Sequence, residues 1–450
     1  FCSNTQMKTQ NKITRKPALA QAKKVSTKNN SKIRIECNGG FREVGNNAVI
    51  LDDGKDRFTM EFGFNVSDGI GPLIPEKDVE AVVICHGHLD HCGSIPELWN
   101  AQKTKLKIFG TQATKDLAEL VLYDSVKVGK IKGKPRNFGK SDIKSVLNNW
   151  KTIGYKKPFK IGNAKITFHD AGHIPGSAMA FIEMAGKKIL YTSDFKAEQT
   201  QLVGGADYKK LKNLDLLIME TTYSSRSLDK RAKIEKEFAE QVKKTVKQGG
   251  IALIPSFAIR APELIMILEK YGADFPIYVD GMGRTATEIS AKNPNFIRNS
   301  VQLKNAMKKT ILVKSHEQRK TVTKKPCAIV TTGGSMDGGP VAHYIKYVYA
   351  DPKSALITAG YQIPGTAGRY LLDTGRYVTE AVDLKVKCPM YNFELSSHAG
   401  RDELLQLVKD LRPKKVMCIH GAHCQRFAME LKSQLSIDAF APKQGEVVEI

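Results

Sequence analysis

The chain has 450 residues, more than one ordinary domain and enough for two sizeable cores. Seventy Lys and Arg against 46 Asp and Glu leave a net charge of +24, which favours a polyanionic partner and argues against a small neutral substrate. No apolar run is long enough to span a membrane, no secretory signal is visible, and the eight cysteines form no CxxC pair; a cytoplasmic, membrane-free protein with reduced thiols is expected.

Residues 1–32 contain no Asp or Glu and are rich in Lys, Thr, Asn and Gln, which reads as a disordered basic tail with Met7 a candidate natural start. From Ile33 the pattern is strand-rich: IRIEC, NAVIL, RFTMEF and AVVIC, separated by Gly, Asn and Asp turns. Helices are expected at 95–101 and 113–122, three consecutive strands at 164–170, 178–184 and 187–193, and a long helix at 229–248. Thereafter strands (251–256, 276–281, 327–332) alternate with helices (261–271, 284–292), the signature of a parallel sheet with flanking helices. Strands at 355–360 and 415–420 complete the inventory.

The strongest chemical signal is Cys85-His86-Gly87-His88-Leu89-Asp90-His91-Cys92-Gly93, directly after a buried strand. Imidazole nitrogens and carboxylate oxygens are the ligands that catalytic zinc favours. On a loop leaving a strand, His86 and His88 can point one way while Asp90 and His91 face a second position, so one segment can serve two metals. Other candidates sit at strand ends: His173 after 164–170, Asp194 after 187–193, and His420 after 415–419. His169, His316, His343 and His423 lack such positions and read as bystanders.

HGHLDH resembles the HxHxDH signature of the metallo-β-lactamase superfamily. Downstream the chain is similar to its β-CASP branch: Met219-Glu220-Thr221-Thr222-Tyr223 resembles the first extra motif, Ser396-Ser397-His398-Ala399 the second and Ile419-His420-Gly421 the third. Pro255-Ser256-Phe257-Ala258, Asp280-Gly281-Met282, 332–340 and 360–366 add to the likeness, which covers about 33–450 and is nearest to archaeal RNase J and archaeal cleavage-and-polyadenylation-factor-like nucleases. The resemblance implies an αββα sandwich at 33–210 and 371–450, with a β-CASP domain of parallel-sheet α/β type inserted at 211–370. It further implies two Zn²⁺ per chain, one on His86, His88, His173 and Asp194, the other on Asp90, His91, Asp194 and His420. Glu61 stands where the family usually has Asp and is expected to orient a ligand.

From these residues a two-metal ribonuclease acting on single-stranded RNA is expected, with Asp90 in the catalytic set. His398, charged and oriented by Glu220, either protonates the leaving oxygen or only hydrogen-bonds the phosphate; Glu220 could instead cap the next helix. Within the branch, histidine at the third motif, here His420, marks the RNA-processing members. Ser256, Gly333, Gly334, Ser335, Ser396 and Ser397 are candidates for a phosphate pocket. Lys132, Lys134 and Arg136, within a basic run from Lys127 to Lys144, and a second run from Lys308 to Lys325 that includes Arg319, are candidates for contacts along the strand. A closed pocket would make a 5′→3′ exonuclease preferring 5′-monophosphate ends, an open one an endonuclease. A homodimer is what the branch suggests.

Overall fold

A computed structural model describes residues 32–102 and 105–450. Apart from Lys32, the expected basic tail lies outside the described residues.

Two seven-stranded sheets and one six-stranded sheet dominate. The first runs in the order Val447–Glu449, Arg34–Gly39, Ala48–Asp52, Arg57–Met60, Ala81–Val83, Lys107–Gly110 and Trp150–Thr152. The second runs Asp438–Phe440, Lys415–Ile419, Leu216–Glu220, Lys187–Tyr191, Ala178–Met184, Ala164–Asp170 and Pro158–Ile161. Their strands sort side chains to opposite faces by parity. Val49, Leu51, Ile189 and Ile218 meet in one core shared by both sheets. Ile50 turns out to a layer with Leu98, Leu122 and Ile143, whereas Leu190, Leu217 and Met219 pack with Leu404 and Phe427. Helix, sheet, sheet and helix therefore stack as the expected αββα sandwich.

The third sheet is wholly parallel: Thr310–Leu312, Ile277–Asp280, Cys327–Thr332, Ile251–Ser256, Ala355–Thr358 and Met390–Asn392. Its strands read as unbroken apolar runs because both faces are covered. Ala252 and Ile254 pack with Phe238 and Leu264, while Leu253 packs opposite, with Tyr344 and Leu371. Sheet membership changes a little later than the boundaries expected at 210 and 370. Leu216–Glu220 still pairs in the sandwich, and Met390–Asn392 still pairs in the inserted sheet. Helix Gln112–Ile131 runs well beyond its expected end at 122, since Ser125 and Val126 continue the buried face.

No helix of the described residues is long and apolar enough to cross a membrane. The seven described cysteines are buried and unpaired, in keeping with reduced thiols.

Candidate metal centre

Strand ends build the site. Ala81–Val83 runs on into buried Ile84 and Cys85 and then releases His86 and His88; the single turn Leu89–Cys92 carries Asp90 and His91. That turn is held by close backbone contact: Asn47 N donates to Asp90 O at 2.8 Å and Phe62 N to His91 O at 2.9 Å. A Cβ on Gly63 would lie 1.7 Å from Asp90 O, so only glycine admits the approach. In the second sheet, Lys187–Tyr191, Leu216–Glu220 and Lys415–Ile419 are adjacent and parallel, so Asp194, Glu220 and His420 emerge side by side. His173 descends from the loop between Ala164–Asp170 and Ala178–Met184.

These side chains form two quartets that share Asp194. In the first, His86 Nε2 lies 3.4 Å and His173 Nε2 3.7 Å from Asp194 Oδ2, and His173 Nε2 lies 3.2 Å from His88 Nδ1. In the second, His91 Nε2 is 3.3 Å from Asp194 Oδ2, while His420 sets Nε2 3.3 Å from Asp90 Oδ2 and Nδ1 3.3 Å from Asp194 Oδ1. The ligand atoms of each quartet lie within 4.8 Å of one another.

The chemistry of this donor set fits zinc. His86 Nε2 and Asp194 Oδ1 are buried without a hydrogen-bond partner, a costly state unless a further group completes them. Burial, helped by the charge of His91, pushes His86 down to about 3; burial also brings His88 down to about 4 and His173 well below its usual range. Burial opposes ionisation of Asp90 and Asp194, yet the surrounding imidazoles hold both below the usual carboxylate range. Neutral imidazole and ionised carboxylate are the metal-binding forms, which these directions favour for His86, His88, His173, Asp90 and Asp194; at His91 burial is outweighed by Asp194, Asp90 and Glu61, which raise it.

A second layer orients the rings. Glu61, fully buried, accepts from Ser193 Oγ at 2.9 Å and Cys85 N at 3.2 Å, and lies 3.3 Å from His91 Nδ1. Ser193 Oγ is itself 3.1 Å from His86 Nδ1. His173 Nδ1 donates to Ser397 O at 2.9 Å, and Thr222 Oγ1 lies 3.0 Å from His420 Nδ1. Glu61, Ser193 and His420 all have left-handed backbones, with φ of 58°, 50° and 50°, so strain gathers here. Sequence reasoning missed Ser193 and Thr222; their only signal is adjacency to Asp194 and Glu220 in the motifs.

His398 borders both quartets, its Nδ1 3.1 Å from Glu220 Oε2 and 3.9 Å from Asp194 Oδ2. Burial would lower it, but those two carboxylates outweigh burial and raise it to about 9. Glu220 accepts from Phe195 N at 2.8 Å and caps no helix; the next α-helix starts only at Arg231.

The phosphate candidates gather at the carboxyl ends of the inserted parallel sheet, where such folds bind ligands. Ser256 is in register with Thr332, and a Cβ on Gly334 would lie 2.8 Å from Phe257 N. Ser335 follows on the same loop; its carbonyl accepts from Gly368 N. Two hydroxyls are already engaged: Ser396 Oγ accepts from His398 N at 3.0 Å, and Ser397 Oγ from Arg260 Nη1 at 2.8 Å. The strap from Phe393 to Gly400 that carries His398 is braced by Arg231, which donates to Ser396 O, and by Arg260, which donates to Leu395 O and Ser397 Oγ; Glu263 pairs with both guanidiniums, and none of the three carried a local signal.

The basic runs need correction. Lys132 and Lys134 are exposed on the loop after helix Gln112–Ile131, but Arg136 is not free for RNA. Its side chain, 4% exposed, donates to Gly93 O at 2.7 Å, pairs with Glu97 and stacks 3.4 Å from the Phe64 ring centroid. Arg319 is likewise committed, forking onto Asp280 at 2.6 and 2.8 Å.

Residues 43–222 match the metallo-beta-lactamase superfamily domain, 261–371 the Beta-Casp domain, and 383–442 the Zn-dependent metallo-hydrolase RNA specificity domain. The "Probable RNase MJ4" of Methanocaldococcus jannaschii is 33% identical, over 92% of this chain and 99% of that one. The chain belongs to the β-CASP family. Other relatives include "RNase aCSPSF2" of Saccharolobus solfataricus, 29% identical over 92% of this chain and 84% of its own length. "Transcription termination factor FttA" of a Lokiarchaeum is 31% identical over 93% and 72%. A solved structure of a protein of unknown function from Enterococcus faecalis V583 shares the fold, with TM-score 0.62 and 14% identity over 93% of this chain and 100% of that one.

Proposed function

We propose that this β-CASP metal-dependent ribonuclease hydrolyses single-stranded RNA at a pair of zinc ions per chain, as a 5′→3′ exonuclease preferring 5′-monophosphate ends. One observation carries the reading: seven imidazoles and carboxylates from four separate stretches converge on two adjoining points. The relatives named as ribonucleases support the substrate class. A cytoplasmic homodimer is part of the same proposal and rests on family likeness.

His86, His88, His173 and Asp194 would hold one ion; Asp90, His91, Asp194 and His420 the other. Zinc there supplies Lewis acidity to the phosphoryl oxygens and to the attacking water. Glu61, Ser193, Thr222 and the Ser397 carbonyl hold the rings of His91, His86, His420 and His173, and so would orient them for the ions. His398 has its Nδ1 proton directed at Glu220, which leaves its Nε2 proton for the departing 3′-oxygen. The products are a 5′-phosphate and a free 3′-hydroxyl. Gly333, Gly334 and Ser335, beside Ser256, are the groups proposed to receive a terminal phosphate, with Lys132 and Lys134 along the strand.

The test offers one RNA with a 5′-triphosphate, 5′-monophosphate or 5′-hydroxyl. Mononucleotides should be released quickly from the monophosphate form alone. Equal internal cutting of all three would replace the exonuclease by an endonuclease working at the same centre.

A further inference from the structure

The loop after Ala355–Thr358 projects from the same carboxyl edge of the parallel sheet as the phosphate candidates. On it Tyr361 is 45% exposed, although its ring is edge-to-face with buried Tyr223 at 6.3 Å. Tyr223 in turn stands edge-on to His398 at 5.8 Å. The Arg226 guanidinium lies 4.7 Å from the Tyr223 ring centroid, and Arg226 is paired with Glu394. Tyr223 is thus already packed, and Tyr361 is the aromatic of this row that remains open to solvent. A lone exposed tyrosine needs no explanation elsewhere on a surface. This one stands only two ring separations from the group proposed to protonate the leaving oxygen, close enough for a nucleotide beside the scissile phosphate to reach it.

We propose that the open face of Tyr361 stacks the base of a nucleotide flanking the scissile phosphate, so that Tyr361 is a substrate-positioning residue. The proposal rests on the ribonuclease reading above. A π-face accepts any base, which suits an enzyme that must take each nucleotide of a strand in turn. Tyr223 and Arg226 back the platform, so the base position is tied to that of His398.

Tyr361→Ala, Tyr361→Phe and wild type are compared on a short RNA with a single cleavable linkage, with or without an abasic residue on either side of the cut. On base-bearing RNA, Tyr361→Ala should raise KM about tenfold, the loss falling on KM more than on kcat, and Tyr361→Phe should restore it. On RNA abasic at the stacked position, wild type and Tyr361→Ala should converge. An unchanged KM in Tyr361→Ala, or a rise that persists at both abasic positions, would overturn the platform and leave the ribonuclease reading standing. Wild-type protein that left the RNA uncut would remove both.

Discussion

Glu263→Gln tests how the inserted domain is fastened to the metal site. Glu263 is 1% exposed, with Arg231 Nη2 at 2.5 Å and Arg260 Nη1 at 2.6 Å. Those two guanidiniums brace the strap that precedes and includes His398: Arg231 donates to Ser396 O at 2.8 Å, and Arg260 to Leu395 O and to Ser397 Oγ. Neutralising the shared carboxylate leaves buried cations undercompensated. Breaking such a pair costs about 3–5 kcal/mol, and the low end, about 3 kcal/mol, applies here because Arg231 retains Glu235 at 3.1 Å. Burial opposes ionisation of Glu263, but Arg231 and Arg260 hold its carboxyl below the ordinary value of 4.5. A depressed folded pKa contributes stability that is fully present above 4.5 and is lost as pH falls through the folded value. Urea unfolding should therefore show a gap of about 3 kcal/mol between wild type and variant at pH 7, closing under acid. A gap below about 1 kcal/mol, or one indifferent to pH, would refute the claim that this carboxylate anchors the strap.

His86→Ala should strip zinc from the purified protein and abolish RNA cleavage while leaving RNA affinity nearly intact; undiminished cutting would end the metal mechanism. At Asp170, burial together with Asp207 outweighs the Gly172 N–H and Tyr155 and raises the carboxyl to about 7. The unfolded chain ionises this group near 3.8 and the folded one near 7, so stability should fall as pH rises across that window, by up to roughly 4 kcal/mol. Asp170→Asn keeps an acceptor for Gly172 N and should flatten the profile measured by unfolding at pH 5 and pH 8; identical slopes for both proteins would rule this out.

Local patterns made much of the molecule legible. IALIPS and CAIVTT, apolar throughout and bounded by turns, became strands at the expected residues because both faces are buried. The HGHLDH cluster was legible because four of the candidate ligands fall within six residues of one another, whereas His173, Asp194 and His420 join them only through the fold. What stayed hidden depends on distance along the chain. Nothing near Arg136 announces that its guanidinium will lie under Phe64, and a basic run reads the same whether its members face solvent or a ring. Glu263 is invisible for the same reason. It acts on the strap through Arg260, whose contacts at Leu395 and Ser397 lie far along the chain and are chosen by the fold.

The division of labour follows from topology. Three adjacent parallel strands of the sandwich present Asp194, Glu220 and His420 in one row, so two of the proposed metal ligands and the carboxylate facing His398 share one sheet edge. His398 itself hangs on a strap that leaves the inserted sheet at Met390–Asn392 and enters helix Arg401–Leu411 of the sandwich. That strap also supplies the Ser397 carbonyl that fixes His173. A shift of the inserted domain would therefore move the proposed proton donor and turn the proposed ligand His173 together. On the proposed reading the sandwich supplies the seven candidate ligands, but setting His398 against the leaving oxygen requires the insertion to be docked.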